Sequence, residues 1–167
     1  MQVLIMRHGI AIERAQGEDA AGRTLSRKGW RKTSRVVRGL KRLCPRLDAI
    51  ASSPLTRAMQ TAQAVDEDIP APYEVWPELA LMLEEDADLA PLVARLQASA
   101  SICILLVGHE PGCSRLTSLL MCGHADAMTF EWKKAGVACL KLEGERAILQ
   151  WLASPKMLRA LAQKPCL

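Results

Sequence analysis

Aromatic side chains are scarce in this chain: 167 residues hold one Phe, one Tyr and four Trp. The core must therefore be built from Leu, Ala, Val, Ile and Met. No interleaved aromatic platform of the kind that stacks unpaired bases is present. A large excess of one charge is also lacking. The formal net charge of +4 suits an anionic ligand or an acidic partner surface and is too weak to argue for nucleic acid. No apolar stretch is long enough to cross a bilayer, and no charged n-region with a long apolar run behind it marks a secretory leader, so no membrane partner is expected. The six cysteines, Cys44, Cys103, Cys113, Cys122, Cys139 and Cys166, form no C-x-x-C pair, which predicts reduced thiols in a cytoplasmic setting. Cys103, within an apolar run, reads as core. Cys122-Gly123-His124 reads as a helix end with an exposed His rather than half a metal site, because no second Cys/His cluster stands nearby in sequence. There is no Walker-type glycine loop and no carboxylate cluster, so no metal and no nucleotide cofactor is called for.

Half of the residues are apolar and about a quarter charged, an ordinary globular composition. The length suits one domain over 1–167. Gln2 to Met6 predicts a strand, and Ile10 to Gly22 a surface loop that overhangs the strand's end. Ser26 is a good N-cap for an amphipathic helix ending before Pro45, with Trp30, Val36, Val37, Leu40 and Leu43 on one side. Its opposite side carries a run of Arg and Lys, read as a solvated face; a docking patch for an acidic partner has the same pattern. Leu47 to Ala51 predicts a second strand. Ser53 as N-cap and Pro54 at N1 open a second helix with Leu55, Met59, Ala62 and Val65 inward. Arg57 falls in its first turn, where the helix dipole disfavours a cation; an anion over that helix start would reverse the argument. Tyr73 to Trp76 reads as a short strand, Glu78 to Glu85 as a loop or broken turn, and Asp88 to Leu96 as a helix. Ile102 to Val107 is continuously apolar, the signature of a strand buried on both faces. It ends in Gly108-His109-Glu110-Pro111-Gly112, and a helix comes next. Gly136 to Leu142 and Ala147 to Leu152 predict a hairpin around Gly144, and Ser154-Pro155 caps a last short helix. Alternating strands and helices predict an α/β fold, a three-layer α/β/α sandwich with a mostly parallel central sheet and antiparallel edge strands.

In a parallel sheet, ligands bind at the carboxyl ends of the strands. Arg7 and His8 stand after the first strand, Arg57 opens the helix after the second, and His109 stands after the apolar central one. Alone, Met6-Arg7-His8-Gly9 is either an anion site with a reactive imidazole or a strand end with a capping histidine. The glycine there would let a ligand approach the backbone. With Arg57 and His109 on the same edge, two arginines and two histidines surround one point. Arginine forks match phosphoryl oxygens. One imidazole can attack phosphorus while the other stabilises the equatorial oxygens.

These residues, with Ser53-Pro54-Leu55-x-Arg57-Ala58-x-Gln60-Thr61 and Gly108-His109, resemble the histidine phosphatase superfamily, also called the phosphoglycerate mutase-like fold. The opening Met1-Gln2-Val3-x-Ile5-Met6-Arg7-His8-Gly9, the stretch Arg23-x-Leu25-Ser26-x-x-Gly29, Pro77-Glu78-Leu79 and the compact length are similar to its small bacterial phosphohistidine phosphatases. The likeness runs from residue 1 to about 155. It implies that His8 is the nucleophile and carries a covalent phosphoryl group, that Arg7, Arg57 and His109 bind the phosphoryl oxygens, and that water then hydrolyses phospho-His8 with no metal and no cofactor. Arg23 matches a family arginine near the pocket mouth; a plain loop cation is the other reading.

Members that cleave phosphate esters need a general acid for the alkoxide leaving group. In the mutase branch it is a Glu with a Gly-rich stretch after it; here Glu78, Glu84 and Glu85 lie in that segment without the glycines. In the acid-phosphatase branch it is an Asp directly after the second His; here Glu110 stands there. Glu110 has three readings: a neighbour of the helix N-cap, a group that orients substrate, or a proton donor. The resemblance implies a substrate that needs no dedicated acid, a phosphorylated histidine on a phosphorelay phosphotransfer domain or a phosphotransferase-system carrier. A monomer is expected. A small-molecule phosphomonoesterase using Glu110 and a non-catalytic phosphate-binding module are the competing readings.

Overall fold

The computed structural model describes residues 1–13, 22–144 and 146–163. Most of the loop expected over Ile10 to Gly22 falls on residues 14–21, outside the described residues, as does Cys166. In chain order the elements are β1 (Gln2–Arg7), α1 (Arg27–Leu43), β2 (Ala49–Ser52), α2 (Thr56–Asp68), β3 (Tyr73–Val75), a 3-10 helix (Pro77–Leu83), α3 (Ala90–Ala98), β4 (Cys103–Gly108), α4 (Gly112–Cys122), β5 (Val137–Glu143), β6 (Arg146–Ala153) and α5 (Pro155–Leu161).

The strands form one sheet in the order β3-β2-β4-β1-β5-β6. β1, β4, β2 and β3 pair in parallel, and β5 joins β1 and β6 by antiparallel pairing. This is the mostly parallel α/β sandwich expected, with the antiparallel hairpin at one edge. The central strands read as unbroken apolar runs because both of their faces are covered. Leu4, Met6, Leu105 and Val107 pack with Val36, Leu40, Val65 and Leu158 on the side of α1, α2 and α5. Val3, Ile5, Ile104 and Leu106 pack with Leu79, Met82, Leu92 and Leu116 on the side of α3, α4 and the 3-10 helix.

Several elements differ in detail from the sequence pattern. Ser26 caps α1 as expected, its Oγ accepting from Gly29 N at 3.0 Å, but Leu43 is exposed because the inward line runs through Val36, Leu40 and Cys44 at i+4 spacing and Leu43 falls beside it. The second helix begins at Thr56 with Leu55 at its N-cap, so Ser53 is not the cap. Its buried line contains Arg57, Thr61 and Val65, whereas Met59 is only half-buried. Cys103 is half-buried rather than core, with its thiol 3.6 Å from that of Cys44. At one point α1 and α5 touch backbone to backbone: a Cβ built on Gly39 would stand 1.8 Å from the Leu158 carbonyl oxygen. Only glycine fits there.

Candidate phosphoryl site

Sheet register assembles the candidate residues. Arg7 of β1 is paired with Gly108 of β4, and Ser52 of β2 with Val107. The chain therefore leaves three neighbouring strands at one level, and the next residues are His8, His109 and Ser53. Backbone bonds continue the ladder past the strand ends: His8 N donates to Gly108 O at 2.9 Å and Ser53 N to Val107 O at 3.0 Å. The two imidazoles end up with ring centroids 5.1 Å apart. His8 is 8% exposed, Arg57 4% and His109 not at all.

Two contacts fix the state of His8. Its Nδ1 lies 2.7 Å from the Gly9 carbonyl oxygen, an acceptor only, so Nδ1 carries the hydrogen. Arg57 Nε donates to His8 Nε2 at 3.2 Å, so Nε2 presents its lone pair. Burial lowers the His8 pKa to about 3, with Arg57, Arg7 and Lys134 adding to the effect against the Gly9 hydrogen bond. The ring is neutral at pH 7. His109 is likewise held down, to about 2, by burial first and then by His8, Arg57 and Arg7. Its Nε2 is 2.8 Å from Ser53 Oγ, which also accepts from Leu55 N at 3.3 Å. With the Ser53 hydroxyl hydrogen on His109 Nε2, His109 Nδ1–H is left as a donor. His109 Nδ1 and Arg7 Nε are buried and meet no hydrogen-bond partner among the described residues.

Arg7 is anchored through Nη1 to the Trp132 carbonyl at 2.5 Å. Burial lowers the Arg57 pKa, and the charge of Arg23 adds to the shift. Arg23 itself is half-buried and donates twice to the Ile12 carbonyl, through Nε at 3.1 Å and Nη2 at 2.6 Å. Glu110 turns toward α4: its carboxylate accepts from Ser114 N at 3.1 Å and from Ser114 Oγ at 2.5 Å. Burial raises its pKa, while the Ser114 bonds and the Arg7 charge pull it back. Glu110 lines a cavity of about 280 Å³ with Phe130 and Thr129, whereas Arg7 lines another of about 650 Å³. A cavity of about 570 Å³ beside Asp48 and Arg95 contains none of the candidate site residues in its lining.

Sequence reasoning overlooked the residues that hold these groups. Thr61 Oγ1 donates to Arg57 O at 2.7 Å and accepts from Gly9 N at 2.9 Å, tying α2 to the loop after β1. Gln60 Oε1 accepts from Leu25 N at 2.6 Å. Ser53, read as a helix cap, is the partner of His109. All three lie within the Ser53–Thr61 motif, which was the available signal. Gly9 has a packing reason as well: a Cβ there would stand 2.3 Å from Thr33 Oγ1, so the glycine allows α1 to pack closely. Cys122 and His124 flank Gly123, the left-handed residue that ends α4, and among the described residues no three His, Cys, Asp or Glu side chains converge as a metal site. No helix of the described residues is long and apolar enough to cross a membrane.

The family model of the histidine phosphatase superfamily (branch 1) matches residues 3–82. The chain belongs to that superfamily. An uncharacterized protein of Picosynechococcus sp. is 34% identical over 142 residues, covering 84% of this chain and 85% of the relative. The phosphohistidine phosphatase SixA of Escherichia coli is 29% identical over 170 residues, covering 96% and 100%. The structure of the protein histidine phosphatase SixA complexed with tungstate superposes with a TM-score of 0.81 at 27% identity, over 93% of this chain and 98% of that one. An alpha-ribazole phosphatase and a phosphoserine phosphatase share the fold at 20% identity or less, a likeness of fold alone. Superfamily membership makes the chain a phosphatase-type hydrolase with a SixA-like fold.

Proposed function

We propose that this protein is a phosphohistidine phosphatase that removes phosphate from a histidine of a partner protein through phospho-His8, without a metal. The observation that carries the reading is the locked tautomer of His8: a neutral, buried imidazole with Nε2 presented beside Arg57, next to Arg7 and a second imidazole. Nε2 attacks the substrate phosphorus in line. The bond from phosphorus to the partner's imidazole nitrogen breaks, and that nitrogen keeps the electron pair until it is protonated. Arg57 gives up its contact with Nε2 to a phosphoryl oxygen, and Arg7 and His109 Nδ1–H take the others, where transition-state charge spreads. Water then attacks the phosphorus of phospho-His8, inorganic phosphate leaves, and Nε2 regains its lone pair.

An imidazole needs less help to leave than an alkoxide. The carboxylate nearest this role, Glu110, has its oxygens engaged by Ser114, which supports a helix-holding part over proton donation. The names of the SixA relatives agree with a phosphohistidine substrate. The test offers a histidine-phosphorylated phosphotransfer domain and a panel of sugar, nucleotide and amino-acid phosphate esters to one preparation. The expected result is rapid loss of phosphate from the domain and little from the esters, abolished in His8→Ala and kept within about twofold in Glu110→Gln. Normal turnover by His8→Ala, or ester turnover that exceeds the domain's and vanishes in Glu110→Gln, would overturn the proposal.

A further inference from the structure

The 650 Å³ cavity is a groove with Arg7 in its lining, and Lys134, another lining residue, stands near enough to His8 for its charge to act on that imidazole. Arg7 forms its inner end. One bank is α1, with Lys32 and Thr33; the other is the start of α5, with Lys156 and Arg159; Lys133 and Lys134 close the end between them. Its lining holds six cations and a single carboxylate, Glu131, which pairs with Lys133. Among the described residues no carboxylate pairs with Lys32, Lys134, Lys156 or Arg159. Behind Lys32 stands α1 as a whole, whose 17 residues carry eight Arg or Lys and no acid. The folded chain thus gathers much of its modest net charge into one trough beside the proposed phosphoryl site. A bare phosphoryl group would occupy only the inner end of a trough this size.

We propose that this groove is the docking surface for a carboxylate-rich face of the phosphohistidine-bearing protein, and that it delivers the phosphorylated side chain to His8. The inference rests on the proposed function and adds the kind of surface the partner must present. Single exposed ion pairs contribute little. Several cations of one sign around a concave site, however, steer an acidic partner and raise its encounter rate by about 10-fold to 1,000-fold at low salt. The advantage fades as the screening length shrinks to about 8 Å at physiological ionic strength and below that at higher salt. A substrate without an acidic surface gains nothing from it.

The test compares an acidic, histidine-phosphorylated phosphotransfer domain with free phosphohistidine, which has the same scissile bond and no surface. The variants are Lys156→Glu/Arg159→Glu on one bank and, separately, Lys32→Glu on the other, so that neither helix alone decides the outcome. For the domain, the expected loss in kcat/KM is about tenfold or more at low salt, shrinking as salt is added, while turnover of free phosphohistidine stays within about twofold. If the wild-type protein acts on the domain and both variants match it at every salt concentration, docking in the groove is wrong and the proposed function stands. If the variants lose free phosphohistidine equally, the groove belongs to the phosphoryl site and the docking proposal fails. If the wild-type protein acts on neither substrate, the proposed function fails and the docking proposal falls with it.

Discussion

Removing His8 should remove a large part of the protein's acid sensitivity. His8 and His109 have pKa values of about 3 and about 2 in the folded chain against 6.5 for the free side chain. Between about pH 3 and pH 6.5 the unfolded chain therefore holds two protons that the folded chain refuses. Stability rises with pH wherever the unfolded state binds more protons. These two groups thus contribute fully above pH 6.5, and their contribution is lost as pH falls. At pH 5 each histidine is neutral when folded and almost fully protonated when unfolded. With about 1.4 kcal/mol per pH unit per proton, each has cost about 2 kcal/mol by then, and the pair about 4 kcal/mol. That is a large share of a typical domain's 5–15 kcal/mol and would move a urea midpoint by about 1–4 M. The assay is urea unfolding from pH 7.5 to 4.5 in phosphate-free buffer, because a bound oxyanion would add its own stabilisation. Near pH 5 the wild-type slope should include about 3 kcal/mol per pH unit from this pair, and His8→Asn or His109→Asn should each reduce it by about half of that. The comparison of slopes cancels whatever the substitution costs in packing. An unchanged slope in both variants would refute the claim that these imidazoles are held neutral by burial among cations.

Two further outcomes are expected from the supporting contacts. Ser53→Ala removes the partner of His109 Nε2 and an acceptor for Leu55 N. It should lower kcat by about tenfold or more and stability by about 1–2 kcal/mol, measured by steady-state kinetics and denaturant unfolding. Gly39→Ala forces a methyl group against the Leu158 carbonyl and should cost about 2–3 kcal/mol, read as a lowered melting temperature with kcat on free phosphohistidine little changed.

The line of strand ends was legible in the sequence because each is marked twice, by an apolar run that stops and by a polar residue that strands seldom carry. Arg57 was legible because a cation in the first turn of a helix conflicts with the dipole. The part Ser53 plays was not, since a serine ahead of a proline fits a helix cap equally well; only the register of β2 against β4 puts its hydroxyl beside His109. Thr61 was hidden for a similar reason: a threonine inside a helix reads as neutral filling until Gly9, 52 positions away in the chain, comes to donate to it. Glu110 shows the reverse. Its position invited a chemical role, and the geometry gives both its oxygens to Ser114. The groove lined by Arg7 has no local signature at all, because Lys32 on one bank lies far along the chain from Lys134 at the closed end and Arg159 on the other bank.

The contact of Gly39 with Leu158 acquires a meaning beyond packing. It locks together α1 and α5, the two helices that form the banks of the cationic trough. A trough whose walls are fixed relative to each other exists before any partner arrives. Binding in it demands little ordering of the phosphatase, so the conformational entropy of association falls mainly on long lysine side chains and on the visitor. Such a surface selects by where its charges stand rather than by how it reshapes itself. An acidic protein whose carboxylates match that spacing is captured quickly, while one that does not match finds no alternative arrangement to exploit.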